Sequence, residues 1–235
     1  MSYITNAEVI KVIEHSATIR EYILKLEKPR KYNPGSFVQL TLESVSASDI
    51  WPESRTFSIA SYDESIMRFV IKNVGEYTSK IFNELYSGSC CTIKYPFGDL
   101  FDIDSDCENH LLIAGGIGVT PFLSIVKYFE LKGRVNNVNM FYSAKYFDDL
   151  IHIDYFMKVL GDRLQLFITR EQHDNCRNHR ISLNDISKIA NKETNIYICG
   201  SRDFNNNYKD LLSRNGYAKI HMDRSEERRG GKQCR

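Results

Sequence analysis

Three short stretches concentrate the side chains that could do chemistry. "RTFSIAS", residues 55–61, brings a guanidinium (Arg55), a hydroxyl (Thr56), an aromatic ring (Phe57) and a serine (Ser58) together where a strand begins. A guanidinium grips phosphate by charge and fork geometry, and a serine hydroxyl steadies a nitrogen whose protonation changes. The set suits a phosphate, a flat ring and a redox-active nitrogen. It equally describes an ordinary strand start, with Arg55 solvated and Phe57 turned into a core.

"LLIAGGIGVTP", residues 111–121, runs from a buried strand straight into a helix. Gly115, Gly116 and Gly118 let the backbone turn sharply and come close to a ligand. Thr120 is placed to cap the helix, and Pro121 fits its first position. Free N–H groups at such a start, aided by the helix dipole, suit a diphosphate. No Lys-Ser/Thr pair follows the glycines, so this is not a P-loop, and proline stands where the common dinucleotide fingerprint has its third glycine. A tight turn without a ligand is the alternative. The third stretch, "YICGS" at 197–201, puts Cys199 and Gly200 at the carboxyl edge of a strand, where ligands collect in open α/β sheets. A lone cysteine there is otherwise a small buried hydrophobe.

Positioning these residues is the work of two kinds of element. Before about residue 105, "SFVQLTLE" (36–43) and "IMRFVIKN" (66–73) alternate with strand periodicity, separated by the turn signals "NPG" (33–35) and "YSGS" (86–89). One helix is expected at 77–85, and the whole predicts a small antiparallel barrel. After "DIDSDCEN" the rhythm becomes strand, helix, strand: "HLLIA", "TPFLSIVKYFELK", "VNMFYS", "DDLIHIDYFMKVL", "LQLFIT", "SLNDISKIA", "NIYIC", "RDFNNNYKDLLSR" and "YAKIHMD". That order predicts a parallel sheet with helices on both faces. The division expected is a barrel domain over 1–104 and an α/β domain over 105–224. The remainder, "SEERRGGKQCR" (225–235), is charged and aperiodic. It reads as translated adapter sequence or a solvated tail, and is set aside.

Composition removes several classes of function. The 235 residues carry 31 Lys plus Arg against 30 Asp plus Glu, which gives no field for nucleic acid or an acidic membrane. No apolar run reaches the length of a membrane span, and the first residues lack a signal-peptide core. The expectation is a cytoplasmic protein. Six cysteines (90, 91, 107, 176, 199 and 234) match neither zinc nor iron–sulfur spacing. No metal site is expected, and a disulfide framework is not expected either.

Taken in order, the Arg-x-aromatic-Ser motif, the Gly-Gly-x-Gly-x-Thr-Pro turn and the late Cys-Gly-Ser resemble the ferredoxin–NADP reductase family of flavoenzymes. The resemblance covers roughly residues 5–224 and is nearest to the compact bacterial reductases, including the flavin reductase branch. It implies that Arg55 binds flavin phosphate, that Phe57 lies against the flavin, and that Ser58 reaches its hydride-accepting nitrogen. Phe57 stands where tyrosine is commoner, which removes a phenol hydrogen bond. Lys72, Gly75, Thr78 and Ser79 match positions that wrap the diphosphate and adenine side, although taken alone these residues are better explained by a capped helix without ligand. "YPFGDLF" (95–101) resembles the turn that ends the family's barrel. Cys199 matches a cysteine beside the nicotinamide, and Thr56, Gly200 and Ser143 fall among the cofactor-binding positions.

The implied cofactors are FAD and NADPH, with NADH as the alternative donor. A separate acceptor is implied: ferredoxin, flavodoxin, an oxygenase or free flavin. Use of flavin as a substrate, and a non-enzymatic flavin-fold subunit, are the other readings. For the nucleotide, Lys145, Arg170 and Arg180 match positions basic in NADPH-using reductases, and no acidic residue follows "MFYS" immediately to grip a free ribose diol.

Overall fold

The computed structural model describes residues 2–46, 49–63, 65–101 and 108–222. The chain divides into two units, which part between Asp99 and Leu100. The expected hand-over at 104/105 lies outside the described residues, as do Cys107, Cys234 and the stretch 225–235.

The first unit is a six-stranded antiparallel sheet with one helix. Its elements are β1 (Tyr3–Ser16), β2 (Ile19–Leu26), β3 (Phe37–Thr41), β4 (Arg55–Ser58), β5 (Ile66–Lys72), α1 (Glu76–Glu84) and β6 (Cys90–Phe97). The strand order is β4-β3-β6-β1-β2-β5. The sheet curls almost closed, since just past β4 the Ala60 N–H donates to the Arg68 carbonyl of β5 at 2.8 Å.

Period-two alternation fills the interior. Tyr22, Leu24 and Leu26 of β2, Met67, Phe69 and Ile71 of β5, and Cys91, Ile93 and Tyr95 of β6 share one core with Tyr77 and Ile81 of α1. Burial pushes the Cys91 thiol up to about 12, so it packs as a hydrophobe. Both turn signals form turns: Ser36 N–H reaches Asn33 O at 3.1 Å, and Ser89 N–H reaches Tyr86 O at 2.9 Å. The alternation read from sequence did not single out β1 and β2. Register shifts between Val9 and Lys11 and between Glu14 and Ser16 break the period there.

The second unit holds β7 (His110–Gly115), α2 (Thr120–Leu131), β8 (Val138–Ala144), α3 (Ile153–Leu160) and β9 (Leu164–Ile168). It continues with α4 (Leu183–Ser187), β10 (Asn195–Cys199), α5 (Arg202–Arg214) and β11 (Ile220–Met222). Its five strands are all parallel, in the order β11-β10-β7-β8-β9. Leu111, Ile113, Phe141, Phe167, Ile196 and Ile198 face α4 and α5, through Ile186, Tyr208 and Leu212. The alternate side chains face the other way: His110 meets Phe129 of α2 with centroids 4.9 Å apart, and Tyr142 meets Phe156 of α3 at 6.4 Å. Helices therefore cover both faces, as expected. The chain moves outward from β7 through β8 to β9, then returns to β10 on the other side of β7. Strand order reverses between β7 and β10, which is where open α/β sheets take their ligands.

Candidate functional site

In the barrel, the candidate phosphate-binding cation sits on a tyrosine that ties three segments together. Tyr77, on the first turn of α1, donates its hydroxyl towards Leu40 O (3.2 Å) and Glu53 O (3.1 Å). Burial raises the pKa of this phenol, so it stays protonated and remains a donor. The Arg55 guanidinium lies over the Tyr77 ring, 4.6 Å from its centroid, and donates to Ser54 O at 2.9 Å. It also pairs with Glu53 at 2.9 Å, with the arginine side chain 36% and the glutamate 62% exposed. An ion pair that exposed is worth about 1 kcal/mol or less, so Glu53 holds the guanidinium only weakly.

The strand itself sorts the other motif residues. Phe57 is 9% exposed and belongs to the barrel core, whereas Thr56 and Ser58 are half-buried on the opposite side of β4. Ser58 stands opposite Phe37 in the β3–β4 register. Lys72 ends β5 opposite Ile19, also half-buried.

The start of α1 is capped from within. Thr78 Oγ1 accepts the N–H groups of Val74 and Gly75, each at 3.0 Å, and Ser79 Oγ donates to Asn73 Oδ1 at 2.8 Å. These hydroxyls hold the turn, which is the capped-helix reading. Gly75 adds something the cap does not need. Its φ of −178° suits any residue, and a Cβ built there meets nothing within 4 Å. Gly75 is exposed, and the space beside its backbone is open.

In the second unit, the glycine turn and the Cys-Gly-Ser motif are locked together at the point where strand order reverses. A Cβ on Gly118 would stand 2.2 Å from the Cys199 carbonyl oxygen and 2.6 Å from the Gly200 nitrogen. Gly118 has to be glycine because the end of β10 presses on it, whereas Gly116 has no such neighbour. That residue has φ +54° and open space where a Cβ would be. Gly115 and Gly200 both face the Phe204 ring of α5, with built Cβ contacts of 2.9 and 2.6 Å. Cys199 itself is 6% exposed and lies opposite Ala114 in the β7–β10 register.

The expected cap by Thr120 is corrected. Residues Gly116–Val119 form a 3-10 turn, α2 begins at Thr120, and the Thr120 hydroxyl donates back to Ile117 O at 2.7 Å. With a turn already wound ahead of the helix, the hydroxyl bonds to that turn and leaves the helix N–H groups alone. Pro121 stands second in α2, one place past the first helical position expected for it, because the helix begins at Thr120.

At the far edge of the sheet, the loops after β8 and β9 are clipped to one another. Thr169 N–H donates to Ala144 O at 3.2 Å and Arg170 N–H to Lys145 O at 3.0 Å. The exposed cations Lys145 and Arg170 are thus neighbours through their backbones. The Phe147 N–H donates to a carboxylate oxygen of Glu171, and the Phe147 and His173 rings stack 3.8 Å apart and 3° from parallel. Arg180 is exposed beyond the single parallel bridge between Phe167 and Arg177. Ser143 is buried near the end of β8, opposite Gly115.

Four residues that shape these clusters escaped the sequence reading: Glu53, Tyr77, Phe204 and Glu171. Tyr77 lay inside a quoted motif, and its polar aromatic type was the available signal. Phe204 and Glu171 gave none, because their partners are supplied by the tertiary fold.

Residues 112–210 match the family described as "Oxidoreductase NAD-binding domain". Over 146 residues, 60% of this chain, the sequence is 36% identical to a dihydroorotate dehydrogenase B (NAD(+)) electron transfer subunit of Listeria welshimeri, and covers 56% of it. It is 26% identical to the ferredoxin–NAD(P)(+) reductase component of a naphthalene 1,2-dioxygenase system of Pseudomonas putida, over 70% of this chain and 49% of that one. It is 24% identical to a glycine betaine monooxygenase reductase subunit of Chromohalobacter salexigens, over 92% of this chain and 62% of that one. The chain thus matches less than two thirds of the length of each of these relatives. In fold, it resembles a ferredoxin NADP+ reductase from Neisseria gonorrhoeae solved with FAD and NADP: TM-score 0.78, 20% identity, 94% of this chain and 98% of that one. A flavohem-like FAD/NAD-binding domain from Vibrio cholerae gives a TM-score of 0.80 at 19% identity, over 93% of this chain and 97% of that one. Among the described residues no helix is long and apolar enough to cross a membrane.

Proposed function

We propose that this chain, a member of the ferredoxin–NAD(P) reductase-like oxidoreductases, takes a hydride from NADPH, or from NADH, onto FAD and passes electrons to a separate acceptor such as ferredoxin or flavodoxin. The observation that carries the reading is the lock of Gly118 against Cys199 and Gly200, which joins the glycine turn and the cysteine where strand order reverses. Flavin, when bound, supplies the conversion from two-electron to one-electron transfer. The chain's own residues hold and orient. Arg55, seated on Tyr77, offers its fork to the flavin phosphate, and the open backbone at Gly75 leaves room beside Thr78 and Ser79 for a diphosphate. Ser58 offers a hydroxyl to the hydride-accepting nitrogen, and Phe57 backs the strand that carries it.

On the sheet, Gly116 gives the nucleotide diphosphate room, and Cys199 takes the nicotinamide side. The relatives named as reductase components and electron transfer subunits support an acceptor outside this chain. The test is an anaerobic NADPH titration of the flavin-loaded protein. The flavin band should bleach at about one equivalent, and Cys199→Ala should reach the same end point with a transfer at least about tenfold slower by stopped flow. No bleaching would favour a binding subunit, and loss of colour on gel filtration would favour flavin as a substrate.

Lys145 and Arg170, neighbours through the Arg170 N–H to Lys145 carbonyl bond, support NADPH as the preferred donor. The 2′-phosphate is close to a dianion at neutral pH. A charge-assisted contact is worth about 1.5–3 kcal/mol, so Arg170→Ala should lower NADPH efficiency by roughly ten- to a hundredfold. NADH efficiency should barely move. Equal losses for both nucleotides in steady-state assays would remove Arg170 from phosphate recognition.

A further inference from the structure

We infer that the outer edge of β9 is a docking site for an extended segment of a partner protein, one that presents a basic residue opposite Gln165. The sheet of the second unit is unfinished there. Ile168 donates its N–H to Arg177 O at 2.9 Å, and Leu166 O accepts the Arg177 N–H at 2.8 Å, so these groups point away from β8. The N–H and C=O of one strand residue point to the same side, and that side alternates along the strand. Leu166 N–H and Leu164 O therefore face the same outer edge, and among the described residues neither is bonded there. Arg177 makes a single bridge, to Phe167. Just before it the Cys176 N–H bonds back to His173 O at 3.1 Å, which turns the chain away from the position opposite Gln165.

A cavity of about 600 Å³ opens at that position, walled by β9, the end of α3 and residues 174–177. It lies beside Leu164–Leu166, at the opposite end of the strand from Arg170. Its polar groups ask for a cation. Gln165 Oε1 is buried and, among the described residues, lacks a donor. Asp162 and Asp174 line the same cavity, and both are exposed. Arg177, the cation of the lining, is already held by Asp185 at 2.7 Å. A parallel residue opposite Gln165 would donate to Leu164 O and accept from Leu166 N–H, as Arg177 does one step on. Its side chain would share the Gln165 face, where an ammonium or guanidinium meets the amide oxygen and the carboxylates. The residues flanking it would face the α3 side, towards Leu164 and the 47% exposed Met157. An apolar–basic–apolar strand fits, bound by addition to a sheet edge.

The test is amide NMR of the ¹⁵N-labelled full chain titrated with acetyl-Val-Arg-Val-amide. The Leu166 amide and Gln165 side-chain signals should move saturably. The double variant Asp162→Asn, Asp174→Asn keeps the fold, because both side chains are exposed, and should bind roughly fivefold more weakly. A peptide N-methylated at arginine cannot donate to Leu164 O, and one with glutamate for arginine meets the carboxylates with like charge. Neither should move these signals. The proposal is overturned by the absence of a saturable shift on β9 in the parent, or by equal binding of the methylated peptide. A double variant within about 1.5-fold of the parent overturns it as well. Movement of the same signals on dilution of the parent without peptide would give the edge to a second copy of this chain, and the partner reading would fall.

Discussion

Gly118→Ala is expected to destabilise the second unit sharply and to cut turnover with either nucleotide by more than tenfold. The new methyl carbon would lie 2.2 Å from the Cys199 oxygen and 2.5 Å from its carbonyl carbon, closer than any real Cβ contact. Both atoms are backbone at the end of a central parallel strand, so no rotamer change relieves the clash. Overpacking of this kind costs about 1–3 kcal/mol, and the absence of a yielding side chain puts this case at the upper end. For a chain of this size that corresponds to a fall in Tm of roughly 4–12 °C. Gly116 is the control. Its φ of +54° disfavours most side chains, but nothing occupies the space where a Cβ would go. Asparagine tolerates that conformation, so Gly116→Asn should fold nearly as well as the parent. Thermal melts of the three proteins decide it, and a Gly118→Ala protein melting within about a degree of the parent would remove the interlock from the argument.

Arg55→Ala should give a folded protein that purifies largely colourless. Arg55 is the cation proposed for the flavin phosphate, and its present partner Glu53 is held only through an exposed pair. Loss of one charge-assisted contact of about 1.5–3 kcal/mol weakens flavin binding by roughly ten- to a hundredfold, enough to strip cofactor during chromatography. Folding should survive because Tyr77 keeps its bonds to Leu40 O and Glu53 O, and these do not depend on the guanidinium. Measured flavin per chain, beside a circular dichroism spectrum, separates the two effects. Full yellow occupancy in the variant would sink the assignment of Arg55.

Much of this architecture was legible because it is local. Alternation in "IMRFVIKN" and the strand–helix rhythm after residue 108 depend on near neighbours, and they correspond to β5 and to the ordered elements β7 through β11. What stayed hidden depends on residues distant in the chain. Nothing around residue 118 says that the carbonyl of residue 199 will press on it, so the contact that makes this glycine obligatory is hidden from the sequence. Thr120 has the right type and place for a cap, yet the 3-10 turn ahead of it supplies a nearer acceptor. Glu171 looks like a solvated charge until two parallel strands bring its loop beside Phe147.

The glycine contacts also decide which positions are free to vary together. Gly115 and Gly200 meet the side chain of Phe204, and a smaller residue at 204 would make room for alanine at 115, whereas a Cβ at 200 would still stand 3.3 Å from the Gly115 Cα. Positions 115 and 204 can drift as a pair, one change licensing the other, while 200 is also held by the Gly115 backbone. Position 118 has no such partner. Its neighbours are peptide atoms that every residue carries, so no second substitution compensates for a side chain there. In a randomised library selected for folding, 115 and 204 should covary, and 118 should return glycine every time.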